Sequence, residues 1–220
     1  MAEHDCVLLL FAKAPVAGAV KTRLCPPLSG EQAAELHRRL LWHTLEAVSR
    51  AGLGPIVLYC APDICDPFFG KCAEHFSLQM TAQVSGDLGV KMPAALKDGL
   101  AMANRALLIG SDCPSITPAY LRSAANALVC DAKVVLGPAE DGGYGLVGVT
   151  GGVPDIFTDI PWGTSLVMNE TLGRLRASSC RWRELPPIWD VDTAADLARL
   201  AIDPRLSHLS KGLTADRIAV

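Results

Sequence analysis

The sequence predicts a three-layer α/β domain built on a mostly parallel sheet. Short apolar runs recur along the chain: CVLLLFA from Cys6, PIVLYC from Pro55 and ALLIG from Ala106. Each is continuous rather than alternating, as strands covered on both faces require. Stretches with apolar residues at helical spacing separate them, giving the strand–helix alternation of an α/β fold. Half of the 220 residues are hydrophobic and 20% are charged, which is ample material for a core.

The first strand covers Cys6 to Ala12, and a basic loop follows it. Ser29 with Gln32 then reads as a capping box that opens a helix to about Ala51. Leu36, Leu40, Leu41, Leu45 and Val48 give that helix its apolar face, and Gly52 and Gly54 end it. Pro55 to Cys60 is the second strand. Residues 62–76 suggest a short helix with loops, and Leu78 to Val84 a strand. Lys91 to Asn104 has helical pattern, and Ala106 to Gly110 is a further buried strand. Thr117 and Pro118 form an N-cap with proline at the first helical position, for a helix to about Val129. Strands are expected at Val134 to Gly137 and Tyr144 to Val149, and a helix from Thr164 to Ala177. Thr193 and Asp196 cap a last helix through Leu200. Without repeats or linkers, residues 1–220 read as a single domain.

The net charge of -3 and the lack of like-charge runs speak against a nucleic-acid partner. No stretch approaches the length of a membrane span. The leader MAEHD is acidic where a secretion signal carries positive charge. The eight cysteines, with no CxxC pair, read as reduced thiols of a cytoplasmic protein.

In parallel sheets ligands collect at the carboxyl ends of strands. The segment KAPVAGAVKTRL after the first strand carries Lys13, Lys21 and Arg23 around Gly18. It is not a Walker A loop, because Ala19 and Val20 separate Gly18 from Lys21. A polyphosphate cradle and a solvated basic loop are both open readings. In GSDCP, Asp112 stands just past a fully apolar strand, where it fits a magnesium ligand or a turn before Pro114. Asp141, Gly142 and Gly143 can form a hairpin turn, a ligand loop or both, and Tyr144 offers a ring and a hydroxyl. WDVDT supplies Asp190 and Asp192. Either could join Asp112 at a metal, with Asp192 slightly preferred. His4, His37, His43, His75 and His208 form no constellation and read as surface or packing residues. Neither a GxSxG elbow nor a GxGxxG fingerprint is present.

Taken in order, LLLFAKAPVAGAVKTRL, GDLGVKM, IGSDCP, GPAEDGGYGLVG, IPWGTSLVMNETLGRL and DVDTAADL resemble the GT-A-like family of provisionally named nucleotide-diphospho-sugar transferases. Sugar-phosphate nucleotidyltransferases are its wider relatives. The likeness runs from about residue 7 to 200. It implies a Rossmann-like GT-A fold with a nucleotide over the sheet edge. Lys13, Gly18, Lys21 and Arg23 fall in the phosphate loop, and Asp112 in the position of the metal-binding aspartate. Asp192 falls near the second metal ligand. Asp141, Gly142, Gly143 and Tyr144 fall where the acceptor or sugar end is recognised. Two positions depart from the family pattern. Lys91 replaces the arginine of GDLGxRM and loses a bidentate grip, and Ala17 replaces a proline.

The resulting expectation is a magnesium- or manganese-dependent transferase acting on an activated nucleotide. Lys21, Arg23 and Asp112 would be the catalytic groups, Lys13, Gly18 and Lys91 would bind the nucleotide, and the acceptor is left open. Glycosyl transfer is the first reading, nucleotidyl transfer with pyrophosphate release the second, and a non-catalytic nucleotide-binding module the third.

Overall fold

A computed structural model describes residues 5–213 of the chain; His4 and most of the acidic leader lie outside them. The order is β1 (Val7–Lys13), α1 (Gly30–Ala51), β2 (Ile56–Ala61), α2 (Pro67–Phe76), β3 (Gln79–Ala82), α3 (Leu88–Met102), β4 (Arg105–Gly110), α4 (Pro118–Cys130), β5 (Val134–Pro138), β6 (Tyr144–Thr150), α5 (Val167–Ala177), β7 (Trp182–Glu184) and α6 (Ala194–Ile202). The seven strands form one sheet in the order β3-β2-β1-β4-β6-β5-β7.

All strand pairs are parallel except those of β6, which runs against β4 and β5. Chain length explains the reversal. Only residues 139–143 join β5 to β6, whereas a parallel crossover needs about a dozen residues or more. Strand periodicity builds the layers. Leu8, Leu10 and Ala12 of β1 face α1, α2 and α4, and Val7 and Leu9 face α3 and α5. A third apolar cluster joins the start of α1 to Trp189, α6 and the turn at Ser207–Leu209. No helix among the described residues is long and apolar enough to cross a membrane.

The Ser29–Gln32 capping box and the left-handed Gly52 at the end of α1 stand where the sequence places them. Two helix starts differ. The Asp87 side chain accepts from the Val90 amide (3.2 Å), so α3 opens at Leu88 rather than Lys91. The Thr164 hydroxyl accepts from the Leu166 amide (3.3 Å), holding residues 164–166 in a turn, and α5 opens at Val167. Strand β7 was not expected. It is a three-residue edge strand, Trp-Arg-Glu, with no apolar run to announce it.

One helix contact carries a pH dependence. His43 of α1 lies 3.1 Å from the Pro114 carbonyl, which only accepts, so Nε2 donates. Burial, aided by nearby His208, holds the His43 pKa below its ordinary value. The unfolded chain takes up a proton below about pH 6.5, where native His43 resists one. This contribution to stability is therefore whole above that pH and is lost as pH falls below it. His43→Gln, which keeps an N–H for Pro114, should flatten the decline in melting temperature between about pH 7 and pH 5. An unchanged slope would remove His43 from the account.

Candidate functional site

Strand order sets the position of the site. From β1 the chain steps outward to β2 and β3, then returns to place β4 on the other side of β1. The crevice at the carboxyl ends of β1 and β4 is therefore the switch point where ligands bind in open α/β sheets. A cleft of about 700 Å³ opens there. Its lining includes Lys13, Lys21, Arg23, Lys91, Asp112 and Asp192, all singled out in the sequence, together with His37, Tyr144 and Trp162.

Three chain segments deliver its charged groups. After β1 the basic loop turns at Gly18 (φ 77°) and reaches Lys21 in a left-handed conformation (φ 51°, ψ 34°), followed by a 3-10 turn at Thr22–Leu24. For a residue with a side chain that conformation costs about 1–2 kcal/mol. Asp112 follows β4 directly. Asp192 arrives on the WDVDT segment, which extends the parallel pairing of β5 through the Ala139–Ile188 bridge. The Val191 amide donates to the Asp112 carbonyl at 3.1 Å and ties the two aspartate segments together. The Thr193–Asp196 capping box then starts α6 at once, fixing where Asp192 emerges.

Lys21 is the centre of the arrangement. Its Nζ lies 2.9 Å from Asp112 Oδ2 and 2.9 Å from Asp192 Oδ1. The Lys21 side chain is 3% exposed, whereas those of Asp112 and Asp192 are 40% and 37% exposed. The carboxylates thus open to the cleft and the lysine lies beneath them. Burial opposes its charge, but the two aspartates outweigh burial and hold the Lys21 pKa above the ordinary lysine value. Burial likewise works against the Asp112 carboxylate, and the Lys21 ammonium reverses it, keeping its pKa below the usual range. Arg23 Nη1 lies 3.4 Å from Asp192 Oδ2 with its side chain 73% exposed, so most of its guanidinium reaches solvent at the cleft.

His37, read in the sequence as a surface or packing residue, is buried against this cluster. Nε2 lies 3.0 Å from the Lys13 carbonyl and must donate to it, leaving the Nδ1 lone pair 3.7 Å from Asp112 Oδ1. Nδ1 is buried without a hydrogen-bond partner among the described residues. Burial lowers the His37 pKa despite the nearby carboxylate, favouring the neutral ring. A signal was available in the sequence. His37 lies three and four residues from Leu40 and Leu41, within the buried stripe of α1, where a polar group needs a purpose.

The remaining expected residues divide. Lys13 and Lys91 line the cleft, and Gly18 shapes the loop without lining it. Asp141, Gly142 and Gly143 form the β5–β6 turn and do not line the cleft. Asp141 Oδ1 accepts from the Gly143 amide at 2.8 Å, and Gly142 packs on the Ser165 backbone. Tyr144 borders the cleft edge-on to Trp162, with ring centroids 6.2 Å apart. Its hydroxyl is buried, so the ring and not the OH is available to a ligand. Asp190 stays off the cleft lining, and burial next to Asp141 and Asp192 pushes its pKa up to about 6. Of the two candidates on WDVDT, Asp192 is the one beside Lys21.

Hard carboxylate oxygens from Asp112 and Asp192, open to a cleft, suit magnesium or manganese, with water and substrate phosphate completing the shell. Among the described residues no group of three or more His, Cys, Asp or Glu side chains could form a protein-only cage. The donor set fits a metal shared with its substrate.

The family model described as "Uncharacterized protein conserved in bacteria (DUF2064)" matches residues 44–164, a span that contains Asp112 and Trp162 but stops short of Lys21 and Asp192. No curated protein matches the chain. Among solved structures, a provisionally named nucleotide-diphospho-sugar transferase from Desulfovibrio desulfuricans G20 is 32% identical. The match covers 92% of this chain and 87% of that one, with a TM-score of 0.81. A nucleotidyl transferase from Methanothermobacter thermautotroptrophicus is 14% identical over 93% of this chain and 97% of its own, with a TM-score of 0.61. A Mycobacterium tuberculosis H37Rv protein solved in complex with manganese is 16% identical over 89% and 97%, with a TM-score of 0.51. The last two likenesses establish the shared fold.

Proposed function

We propose that this chain, which belongs to the DUF2064 family, transfers a group from an activated nucleotide with a divalent cation as cofactor. The observation that carries the proposal is the meeting of Asp112 and Asp192 at the β1–β4 switch point, within a cleft also lined by Lys13, Arg23 and Lys91. The Desulfovibrio relative's name and the manganese bound by the Mycobacterium protein support it.

The cleft suits positioning and electrostatic catalysis, with little covalent work for the protein. Arg23 grips phosphate oxygens with two N–H groups, and Lys13 and Lys91 neutralise the remaining charge. Asp112 and Asp192 hold the cation. When bound, a divalent ion supplies Lewis-acid stabilisation of the departing phosphate oxygens. Tyr144 and Trp162 offer aromatic faces to a sugar or acceptor at the cleft wall.

A nucleotide-diphospho-sugar is the first donor to test. The cations lining the cleft also favour a second reading, attack by an acceptor phosphate on the α-phosphorus of a nucleoside triphosphate. A panel of nucleotide sugars and triphosphates, each with and without manganese, separates the two by melting temperature. At about a hundred times its Kd a ligand stabilises by about 2.7 kcal/mol, which for a chain of this size raises the melting temperature by roughly 5–10 °C. The expected result is a metal-dependent rise with a nucleotide sugar. A rise with a triphosphate alone, followed by pyrophosphate release, establishes the second reading. If no nucleotide shifts the transition, the proposal fails.

A further inference from the structure

We propose that Lys21 and a divalent cation compete for Asp112 and Asp192, so that the lysine leaves these carboxylates before both can hold a metal. The inference rests on the reading of the two aspartates as metal holders. Lys21 Nζ sits 2.9 Å from one oxygen of each, so the oxygens turned toward one another are spent on the ammonium. The outer oxygens have other neighbours. Ser111 donates to Asp112 Oδ1 at 3.3 Å, and Arg23 lies 3.4 Å from Asp192 Oδ2. Magnesium-class ions need oxygen contacts near 2.0–2.1 Å. An ion bound by both aspartates would take the facing oxygens and meet the ammonium at the same point. With its side chain 3% exposed, Lys21 is poorly screened by water or salt, so the two cations exclude one another.

Lys21 has a second partner available. It lines the cleft beside Arg23, where phosphate oxygens of a nucleotide would arrive. Its loop runs through exposed residues 16–19 and turns at Gly18, and Lys21 shares the cleft lining with Arg23, so a shift of the loop carries the ammonium from the carboxylates toward the cleft. Phosphates that draw Lys21 away free both carboxylates for the metal. Nucleotide and metal then raise each other's affinity by the same factor. The metal site is completed by its substrate, and metal alone binds weakly.

The probe is manganese alone, titrated calorimetrically into the full chain. Lys21→Met keeps the aliphatic stem and removes the charge, and it should bind manganese at least tenfold more tightly than wild type. Two uncompensated carboxylates can disturb folding, so Lys21→Gln is measured beside it. Melting curves with and without manganese show whether each variant is folded, and both should gain more from the metal than wild type does. Equal or weaker manganese binding in the folded variants, with wild-type binding abolished by Asp112→Asn, overturns the competition and leaves the metal site standing. No manganese binding by wild type or by either Lys21 variant overturns the metal reading and the competition with it.

Discussion

Asp112→Asn should lower turnover by about a hundredfold or more while lowering the melting temperature by only a few degrees. The amide is isosteric and can still accept from Lys21, but it carries no charge to hold a divalent ion. Breaking a fully buried ion pair by removing one partner costs about 3–5 kcal/mol. That figure does not apply here. Lys21 keeps Asp192 at 2.9 Å, and the Asp112 side chain is 40% exposed to screening solvent. A pair with one buried and one half-exposed partner falls between that figure and the roughly 1 kcal/mol of a surface pair. A loss of about 1–2 kcal/mol is therefore expected, or roughly 2–8 °C in a chain of this length. Turnover with the nucleotide donor and a melting curve decide the matter together. A variant that keeps full metal-dependent turnover rules out Asp112 as a ligand, and one that melts more than 10 °C early, to order of magnitude, gives it a structural role instead.

Gly142→Ala should destabilise the protein by about 3 kcal/mol, or roughly 6–12 °C. Gly142 has φ 90°, and a Cβ there would collide with the Ser165 carbonyl oxygen and lie 2.8 Å from its Cα. These are backbone atoms, and they cannot rotate aside as a side chain would. The turn is also fastened to α5, because the Gly142 carbonyl accepts from the Met168 amide at 2.8 Å. Gly52→Ala provides the control. That glycine has φ 64° with no atom within 4 Å of the added carbon, so only backbone strain of about 1 kcal/mol is expected. Equal losses in the two variants would show that strain alone, without the collision, accounts for Gly142.

The interior of the fold was readable because its strands are continuous apolar runs and its helices carry caps. Ser29, Thr117 and Thr193 each take up the expected cap, and each interior strand lies where its apolar run lies. Features set by long-range contact were not readable. Strand β7 exists because Arg181, through its carbonyl, accepts from the Lys133 amide, and Leu185 donates to Leu136, not because Trp-Arg-Glu favours a strand. Of the residues singled out in the sequence, Lys13, Lys21, Arg23, Lys91, Asp112, Tyr144 and Asp192 line the candidate cleft, whereas Asp141, Gly142 and Gly143 form a turn off it. The sequence placed Lys21 among phosphate-facing cations, and folding buries it between two aspartates. His37 is concealed in the apolar stripe of α1, and the Tyr144 hydroxyl is buried. Such facts depend on what lies across the cleft, which local pattern does not encode.

The ion pair between Lys21 and Asp192 spans 171 positions of the chain. A ribosome adding about 5–20 residues per second takes roughly 10–30 s to make that stretch. For that interval the nascent chain carries Lys21 with its later counter-charge still unmade, even though β1 and β4 can already pair. Once β4 and the residues after it are made, Asp112 can hold the Lys21 ammonium alone, and the second carboxylate joins only when Asp192 has been synthesised.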